Sequence, residues 1–346
     1  MNRYTTLNST DYEEVVRCDN EEVGFSAWIA VHNSNRGPAL GGCRVWNYIC
    51  DDDALTDVLR LSKGMTYKNS LARLSLGGGK CVVRADLEKV DRGAMFESVG
   101  QFVETLHGRY ITAEDVNSTV EDMVAVKRHT KHVATVGASG NPSPFTAYGV
   151  YCAIRACVQF KFGHDDLKGL RIAIQGVGET GGRLARLLAN DGCTIFATDI
   201  NQNNLSELQK NVKFHAVEPE DIYGAACDIF CPCALGGILN SFTIPRLHCS
   251  IVAGSANNQL LERADGDLLD ARDILYVPDY AANAGGVINI SCEIGQTYDA
   301  GRARQKTEMI GETVTDILRQ SKSMKRPTHV IADRMAEELI MLGVAA

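Results

Sequence analysis

Three residues whose types could hold an anion or move a proton stand in short polar or glycine-rich segments. Lys68 closes "SKGMTYK", Lys80 closes "LGGGK" and Asp115 lies within "TAEDVN". A lysine that is shielded from water and close to a second lysine loses affinity for its proton and can act as a base near neutral pH. A lysine after glycines is more often a solvated surface charge, so these residues alone leave both interpretations open.

The stretch "LSLGGGKCVV" (74–83) first suggests a phosphate-binding loop, but its spacing excludes one. A loop of the form G-x-x-x-x-G-K-[ST] needs a glycine six residues before the lysine and a hydroxyl after it. Leu74 and Cys81 occupy those positions. A phosphate-loop NTPase is therefore excluded, and the glycines are better explained by close backbone packing around Lys80.

A second glycine motif has the context of a dinucleotide site. Gly176, Gly178 and Gly181 fit G-x-G-x-x-G between the apolar "RIAIQ" and the helical "GRLARLLAND", and Asp199 follows 23 residues after the first glycine. Such glycines let backbone N–H groups approach a pyrophosphate, and the acidic residue accepts hydrogen bonds from the ribose. Asp199 would repel a 2′-phosphate, which favours NAD over NADP. The alternative to a dinucleotide site is a glycine-rich turn between strand and helix that binds no ligand.

The elements around these motifs predict an α/β protein of two domains. Apolar residues recur at helical spacing over 51–68 and again over 95–106. "GASGNPSP" (137–144) has the composition of a linker, and after it apolar strands alternate with helices, as in a doubly wound parallel sheet. We expect an N-terminal α/β substrate and oligomerisation domain at 1–138, joined by a C-terminal helix at about 327–346, and a Rossmann NAD-binding domain at 139–326.

The composition restricts the classes of protein to which the chain can belong. Its 346 residues carry a net charge of −8, which disfavours nucleic-acid binding, and no apolar stretch approaches the length of a membrane span. The polar N-terminus has no signal core. Twelve scattered cysteines form no C-x-x-C pair, so no metal site is expected and the thiols suit a reducing compartment. We expect a cytoplasmic protein.

Eight segments together resemble the Glu/Leu/Phe/Val amino acid dehydrogenase family, and most of all the branch that acts on leucine. The similarity covers essentially the whole chain. It rests on "GPALGG" (37–42), "LRLSKGMTYKNS" (59–70), "LGGGK" (76–80), "RYITAEDVN" (109–117), "SGNPSPFTAYGVY" (139–151), "CDIFCPCALGGILN" (227–240), "VAGSANNQL" (252–260) and "YVPDYAANAGGVINI" (276–290).

The resemblance implies an NAD-dependent, reversible oxidative deamination of an amino acid to a 2-oxo acid, ammonia and NADH. Lys80 would be the catalytic lysine and Asp115 its acid/base partner. Lys68 would pair with the substrate carboxylate. The resemblance assigns the same pocket to Gly41, Gly42 and Met65. It assigns the cofactor to Thr146, Asn258 and Asn283 on the nicotinamide side and to Gly176, Gly178, Gly181 and Asp199 on the adenosine side.

The family's side-chain pocket maps onto Leu40, Ala113, Val287 and Ile290. Relatives that act on aromatic amino acids have smaller residues at the first two positions, so the resemblance favours leucine, valine and isoleucine. Phenylalanine or tryptophan is the alternative substrate, and a catalytically silent NAD-binding protein is an alternative of another class. Asn117 departs from a common glycine. The resemblance also implies a homo-oligomer, a dimer or an octamer.

Overall fold

The computed structural model describes residues 1–134 and 137–343, and the chain divides into two compact units. Unit 1 comprises Met1–Gly140, Ile290–Tyr298 and Ala336–Ala346, and unit 2 comprises Asn141–Asn289 and Asp299–Met335. The first division falls inside the predicted linker at 137–144. The predicted domain limits, 1–138 with about 327–346 and 139–326, stay a prediction. They differ from the units in leaving 290–298 with the second part and in assigning 327–335 to the first.

Unit 1 is built on one six-stranded sheet. Its elements in chain order are β1 (Arg3–Leu7), β2 (Glu14–Asn20), β3 (Phe25–Asn33), β4 (Ala39–Trp46), α1 (Asp51–Leu71), β5 (Gly77–Arg84), α2 (Arg92–Glu104), β6 (Tyr110–Glu114) and α3 (Val120–Lys127). The strand order is β1-β2-β3-β5-β4-β6. The first four strands in this order pair antiparallel, whereas β4 pairs parallel with both β5 and β6.

Helices cover both faces of this sheet. On one face, Ala54, Val58 and Leu61 of α1 pack with Trp28 and Val82 of the strands. The other face has a larger apolar core that includes residues of α2 and α3. Burial of a valine or leucine side chain such as Val58 or Leu61 stabilises the fold by about 1.5–3 kcal/mol, so α1 is firmly attached to the face on which it lies.

The ends of the unit 1 helices follow their local sequence. Three aspartates occupy the first turn of α1, where their negative charges interact favourably with the positive end of the helix dipole. The Asp91 side chain accepts a hydrogen bond from the Ala94 N–H at the start of α2. Thr119 and Asp122 form a reciprocal capping box at the start of α3. The predicted helices at 51–68 and 95–106 are thus present with slightly different ends.

Glycines hide two strands from the sequence pattern. The turn-rich "NSNRGPALGG" suggests a loop, yet its last four residues begin β4. The apolar run "CVV" from Cys81 suggests a short strand, yet β5 already begins at Gly77. A Cβ at Gly78 would lie 2.0 Å from the Thr66 nitrogen of α1. The strand therefore contacts the helix through backbone atoms, which requires glycine and leaves no apolar alternation to detect.

Unit 2 is a doubly wound parallel sheet. Its elements are α4 (Ser143–Phe162), β7 (Arg171–Gln175), α5 (Glu179–Asn190), β8 (Thr194–Thr198), α6 (Gln202–Gln209), β9 (Phe214–Ala216), β10 (Ile229–Pro232), β11 (Ile251–Val252), α7 (Ala264–Ala271), β12 (Leu275–Tyr276), α8 (Asp279–Ala282), α9 (Gly285–Ser291), α10 (Ala300–Met324) and α11 (Thr328–Leu342). The last residues of α9 and of α11 belong to unit 1.

The strand order of unit 2 is β12-β11-β10-β7-β8-β9, and all its strand pairs are parallel. The order reverses at β7, and in such sheets ligands bind outside the carboxyl ends of the strands at this point. The predicted α/β fold class with a Rossmann-type second part is confirmed. Within the described residues, no helix combines the length and apolar composition needed to cross a membrane.

Candidate active site

The parallel strands of unit 1 bring several predicted site residues to one face of the sheet. Leu40 lies opposite Gly78, and Gly42 lies opposite Ala113. The same register places Lys80 opposite Gly42. Residues in register on neighbouring strands point to the same side, so the side chains of Leu40, Lys80 and Ala113 share one face. It is the face covered by α1, because Ala30, the partner of Lys80 on β3, packs in the α1 core.

Lys80 and Asp115 form an ion pair on this face. The Lys80 Nζ lies 2.8 Å from the Asp115 Oδ2, and the exposed fractions of the two side chains are 6% and 20%. Burial alone would raise the pKa of the Asp115 carboxyl, but the charges of Lys80 and Arg44 outweigh it and lower that pKa to about 2. Asp115 is therefore ionised at neutral pH and can accept a proton.

The backbone around Asp115 explains its position. A Cβ at Gly42 would lie 2.7 Å from the Asp115 Cβ, so only glycine lets the carboxylate come this close to β4. The Asp115 N–H donates to the Ser118 Oγ at 2.8 Å, and this hydroxyl donates to the Cys43 carbonyl at 2.7 Å. Asn117 has φ +59°, a left-handed conformation that glycine and asparagine adopt more readily than other residues. That conformation accounts for an asparagine at a position where glycine is common.

The remaining predicted substrate-binding residues of unit 1 lie near this face. Lys68 and Met65 are half-buried on the last turns of α1, on either side of the Thr66 that contacts Gly78. The buried Tyr110 hydroxyl donates to the Gly41 carbonyl at 2.5 Å and thereby fixes the backbone of β4 beside Gly42. Unit 1 thus places a second lysine and the Gly41–Gly42 backbone on the side of the sheet where Lys80 lies.

The predicted side-chain pocket residues are buried, but they do not all belong to one unit. Leu40 and Ala113 are 1% and 4% exposed on the common face of unit 1. Val287 and Ile290 are three residues apart on α9, so they lie on one side of that helix. Val287 belongs to unit 2 and Ile290 to unit 1.

The three motif glycines of unit 2 meet different surroundings. Gly176 has φ +91°, and a Cβ at Gly181 would lie 2.0 Å from the Gly176 carbonyl oxygen. At Gly178, directly before α5, an added Cβ would meet nothing closer than the Asn204 Nδ2 at 3.8 Å. The first and third glycines are thus required by packing, whereas the second leaves open space at a helix N-terminus. A pyrophosphate fits this arrangement.

Asp199 lies at the carboxyl end of β8 beside the same turn. Its Oδ2 accepts hydrogen bonds from the Val177 N–H at 2.8 Å and the Asn204 Nδ2 at 3.1 Å. Its Oδ1 accepts one from the Asn201 N–H at 2.8 Å. The carboxylate is therefore fixed next to the glycine turn, where it can also accept hydrogen bonds from a ribose.

Two of the predicted nicotinamide-side residues, Asn258 and Asn283, come after β11 and β12, whereas Thr146 lies in the first turn of α4. The buried Asn283 side chain donates to the Ser255 carbonyl and to the Asn257 Oδ1, and its own Oδ1 has no hydrogen-bond partner among the described residues. A buried amide oxygen without a partner is an acceptor that suits a carboxamide N–H. The Asn258 N–H donates to Asp279, and the Thr146 hydroxyl donates to the Pro142 carbonyl at 3.2 Å.

Two models of one family match most of the chain. The model "Glu/Leu/Phe/Val dehydrogenase, dimerisation domain" matches residues 11–132, and "Glutamate/Leucine/Phenylalanine/Valine dehydrogenase" matches residues 195–338. The chain belongs to the Glu/Leu/Phe/Val dehydrogenase family. It is an oxidoreductase, an amino acid dehydrogenase, as the resemblance of its segments predicts.

Relatives within the family differ in the substrates that their names state. The chain is 46% identical to a leucine dehydrogenase of Geobacillus stearothermophilus, over 98% of this chain and 94% of that one. It is 42% identical to a phenylalanine dehydrogenase of Thermoactinomyces intermedius, over 97% and 93%. The crystal structure of an L-tryptophan dehydrogenase from Nostoc punctiforme superimposes with a TM-score of 0.82 at 40% identity, over 95% and 96%.

One group in this dehydrogenase was missed by sequence reasoning. The Arg44 Nε lies 3.1 Å from the Asp115 Oδ2, and its Nη1 lies 3.1 Å from the Asp57 Oδ2. Arg44 follows Gly42 by two residues and therefore shares its face, but this is apparent only once the segment is known to be a strand. Among the described residues, no group of three or more His, Cys, Asp or Glu side chains could hold a metal ion.

Proposed function

We propose that the protein catalyses the NAD-dependent, reversible oxidative deamination of branched-chain L-amino acids, leucine together with valine and isoleucine. The products are the 2-oxo acid, ammonia and NADH. The observation that supports this proposal is the buried Lys80–Asp115 pair on the sheet face shared with Leu40 and Ala113. Such a pair supplies a base and an acid/base partner next to an apolar wall.

The proposed roles follow from what each group can exchange. Lys80 takes a proton from the substrate ammonium and then helps water to add to the imine carbon. Asp115 moves protons among the attacking water, the tetrahedral intermediate and the departing ammonia. The bound cofactor would accept the hydride from the substrate Cα. Lys68 pairs with the substrate carboxylate, with the backbone of Gly41 and Gly42 and the side chain of Met65 beside it.

The cofactor is proposed to be NAD. The Asp199 carboxylate, fixed by the Val177 N–H, would accept hydrogen bonds from the ribose hydroxyls and would repel a 2′-phosphate. Gly176, Gly178 and Gly181 would admit the pyrophosphate at the N-terminus of α5. The nicotinamide side is assigned to Thr146, Asn258 and Asn283.

The preference for branched-chain substrates rests on the volume that buried residues occupy. Leu40 fills space on the common face that an aromatic ring would need, and Ala113 adds a methyl group beside it. Val287 and Ile290 are proposed to complete the pocket. Hydrophobic pockets separate substrates that differ by one methylene by only about 1–3 kcal/mol, so several branched-chain amino acids should react.

Aromatic substrates are the second candidate, since relatives named phenylalanine and L-tryptophan dehydrogenase are 40–42% identical over nearly the whole chain. NADH formation from NAD with leucine, valine, isoleucine, phenylalanine, tryptophan and glutamate separates the candidates. Turnover led by an aliphatic amino acid supports the proposal, and turnover led by an aromatic one keeps the chemistry but replaces the substrate. No turnover with any of them, in either direction, would leave a silent NAD-binding protein.

A matched pair of lysine variants tests the mechanism. Lys80→Ala should keep NAD binding and lose turnover by orders of magnitude. Lys63→Ala, on the exposed side of α1, should change neither. Retained turnover in Lys80→Ala would remove this lysine from the mechanism.

We further infer a homo-oligomer, a dimer or an octamer, because the family model that matches residues 11–132 is described as a dimerisation domain. Light scattering coupled to gel filtration separates the two assemblies and a monomer. A cytoplasmic location is proposed on the free thiols of the cysteines, which suit a reducing compartment.

A further inference from the structure

A row of polar contacts leads away from the Lys80–Asp115 pair. The Tyr48 hydroxyl donates to the Asp57 Oδ2 at 2.5 Å, and the same oxygen accepts from the Arg44 Nη1 at 3.1 Å. The other side of the Arg44 guanidinium donates through Nε to the Asp115 Oδ2 at 3.1 Å. Arg44 therefore joins two carboxylates, one on α1 and one directly after β6.

The charge of Arg44 differs in kind from that of Lys80. In the proposed reaction Lys80 alternates between its charged and uncharged forms, so its attraction for the Asp115 carboxylate weakens whenever it is uncharged. An arginine does not lose its proton in a protein. Arg44 is thus a cation in contact with Asp115 that stays charged at every step.

We infer that Arg44 is a positioning residue of the deamination: held by Asp57, it keeps the Asp115 carboxylate against the Lys80 amino group while that lysine is uncharged. This inference rests on the proposed roles of Lys80 and Asp115. Arg44 acts on the reaction through Asp115, to whose carboxylate it donates a hydrogen bond.

The far end of the row explains how Arg44 keeps its place. Asp57 neutralises it on one side as Asp115 does on the other, and the two side chains of the Arg44–Asp57 pair are only 19% and 25% exposed. Burial and the neighbouring Asp57 carboxylate raise the pKa of Tyr48 well above its usual range, so this hydroxyl stays a donor. Asp57 thereby has two donors on one oxygen, which restricts its rotation and that of Arg44.

A purely structural ion pair predicts a different set of consequences. If Arg44 only stabilised the fold, its loss would lower the thermal stability without a specific effect on the chemical step. If it positions Asp115, its loss lowers kcat while the KM for leucine, which depends on the Lys68 side of the pocket, changes little. A displacement of about 1 Å in a reacting group can cost about 100-fold in rate.

The test compares Arg44→Ala and Arg44→Lys with Arg84→Ala, all as the full chain. Arg84 is a matched control because it lies on the same sheet and pairs with Asp51 on the same helix. Arg44→Ala should lower kcat by about 100-fold with the KM for leucine within about threefold of the wild-type value. Arg44→Lys should lower kcat by a smaller factor, because the lysine ammonium replaces the positive charge. Some loss should remain, because an ammonium cannot bridge both carboxylates in the geometry of a guanidinium. Arg84→Ala should keep the wild-type kcat.

Two further measurements distinguish the positioning of Asp115 from a purely structural role of Arg44. Guanidinium chloride at low millimolar concentration should raise the kcat of Arg44→Ala about tenfold or more, because the guanidinium ion replaces the missing donor. The same addition should not raise the kcat of Arg84→Ala. The isotope effect of α-deuterated leucine should shrink in Arg44→Ala, since proton handling rather than hydride transfer becomes the slower step. A kcat of Arg44→Ala close to that of Arg84→Ala, or a loss confined to KM or stability without rescue, would overturn the inference.

Crystal structures of Lys80→Met and of the double variant Lys80→Met/Arg44→Ala, or of Lys80→Met/Arg44→Lys should the alanine variant not fold, give a readout that needs no turnover, because methionine carries no charge that could hold Asp115. The Asp115 carboxylate should keep its place beside residue 80 in Lys80→Met and should leave it in the double variant. A carboxylate that stays in place in the double variant overturns the inference even if the proposed function is correct. Wild-type protein that deaminates no amino acid refutes the proposed function, while the position of Asp115 in the double variant still decides whether Arg44 holds it.

Discussion

Gly178→Ala should separate the folding of unit 2 from its binding of the dinucleotide. The residue has φ −65° and ψ −153°, an extended conformation open to L-residues, and the nearest atom to an added Cβ is 3.8 Å away. A glycine replaced by alanine at a compatible position stabilises a protein by about 0.4–1 kcal/mol, because the unfolded chain loses freedom. The variant should therefore be as stable as the wild type or slightly more stable.

Binding of NAD should respond in the opposite direction. The methyl group would occupy the open space in front of α5, where the pyrophosphate is proposed to accept backbone hydrogen bonds. A hydrogen bond to a charged group is worth about 1.5–3 kcal/mol, and each 1.4 kcal/mol is about tenfold in affinity. Weakening one such bond predicts a Kd for NADH that is about 10- to 100-fold higher.

The assay is a titration of NADH fluorescence together with thermal unfolding, on Gly178→Ala and on Gly181→Ala. At Gly181 the added Cβ would lie 2.0 Å from a backbone oxygen, so this variant should lose stability whether or not cofactor is present. An unchanged Kd in Gly178→Ala would refute the assignment of the open space to the pyrophosphate. A clear loss of stability in that variant would refute the reasoning from its surroundings.

Three other predictions concern residues outside the glycine turn. Leu40→Ala should raise kcat/KM for phenylalanine relative to leucine and should cost about 2–5 kcal/mol in the free energy of unfolding, because Leu40 is buried; both are measurable by steady-state kinetics and urea unfolding. Burial, with a smaller effect of Lys63, lowers the pKa of His32 to about 4 from 6.5. Between these pH values the unfolded chain binds more protons than the folded one, so the free energy of unfolding falls as the pH falls through this window, by at most about 3 kcal/mol. Urea unfolding of His32→Gln should not show this decrease. Iodoacetamide should label the exposed Cys50 before the buried Cys157, whose thiol pKa is raised by burial; peptide mapping that finds Cys157 modified first in folded protein would contradict the burial argument.

The sequence predicted best those elements whose own residues show a period or a motif. The helix of Asp51–Leu71 has apolar residues at helical spacing, and the strand before Gly176 is a continuous apolar run. Each signal is local, so it can be detected without knowing what the element contacts. The α/β fold class and the place of the glycine turn followed from these signals.

The sequence could not predict features that depend on strand register. Residues 39–42 and 77–80 are strand residues whose glycines give no alternation, and their need for glycine comes from contacts with other segments, such as Gly78 with Thr66. The partnership of Arg44 with Asp115 joins residues 71 positions apart. It becomes visible only when β4 and β6 are known to be neighbours.

The charges around Lys80 explain how a proton could move inside so buried a site. Arg44 and protonated Lys80 contribute two positive charges, and Asp57 and Asp115 contribute two negative ones, so the contacts of the four groups are balanced. An uncompensated buried charge costs several kcal/mol. In the proposed reaction, in which Lys80 takes the proton of the substrate ammonium, Arg44, Asp57 and Asp115 carry one net negative charge, which the ammonium neutralises before the transfer and Lys80 neutralises after it. Transfer of the proton from that ammonium to Lys80 then leaves the total charge of the site unchanged. The proton transfer therefore creates no net buried charge, whereas loss of Arg44 would leave one carboxylate of the site uncompensated both before and after the transfer.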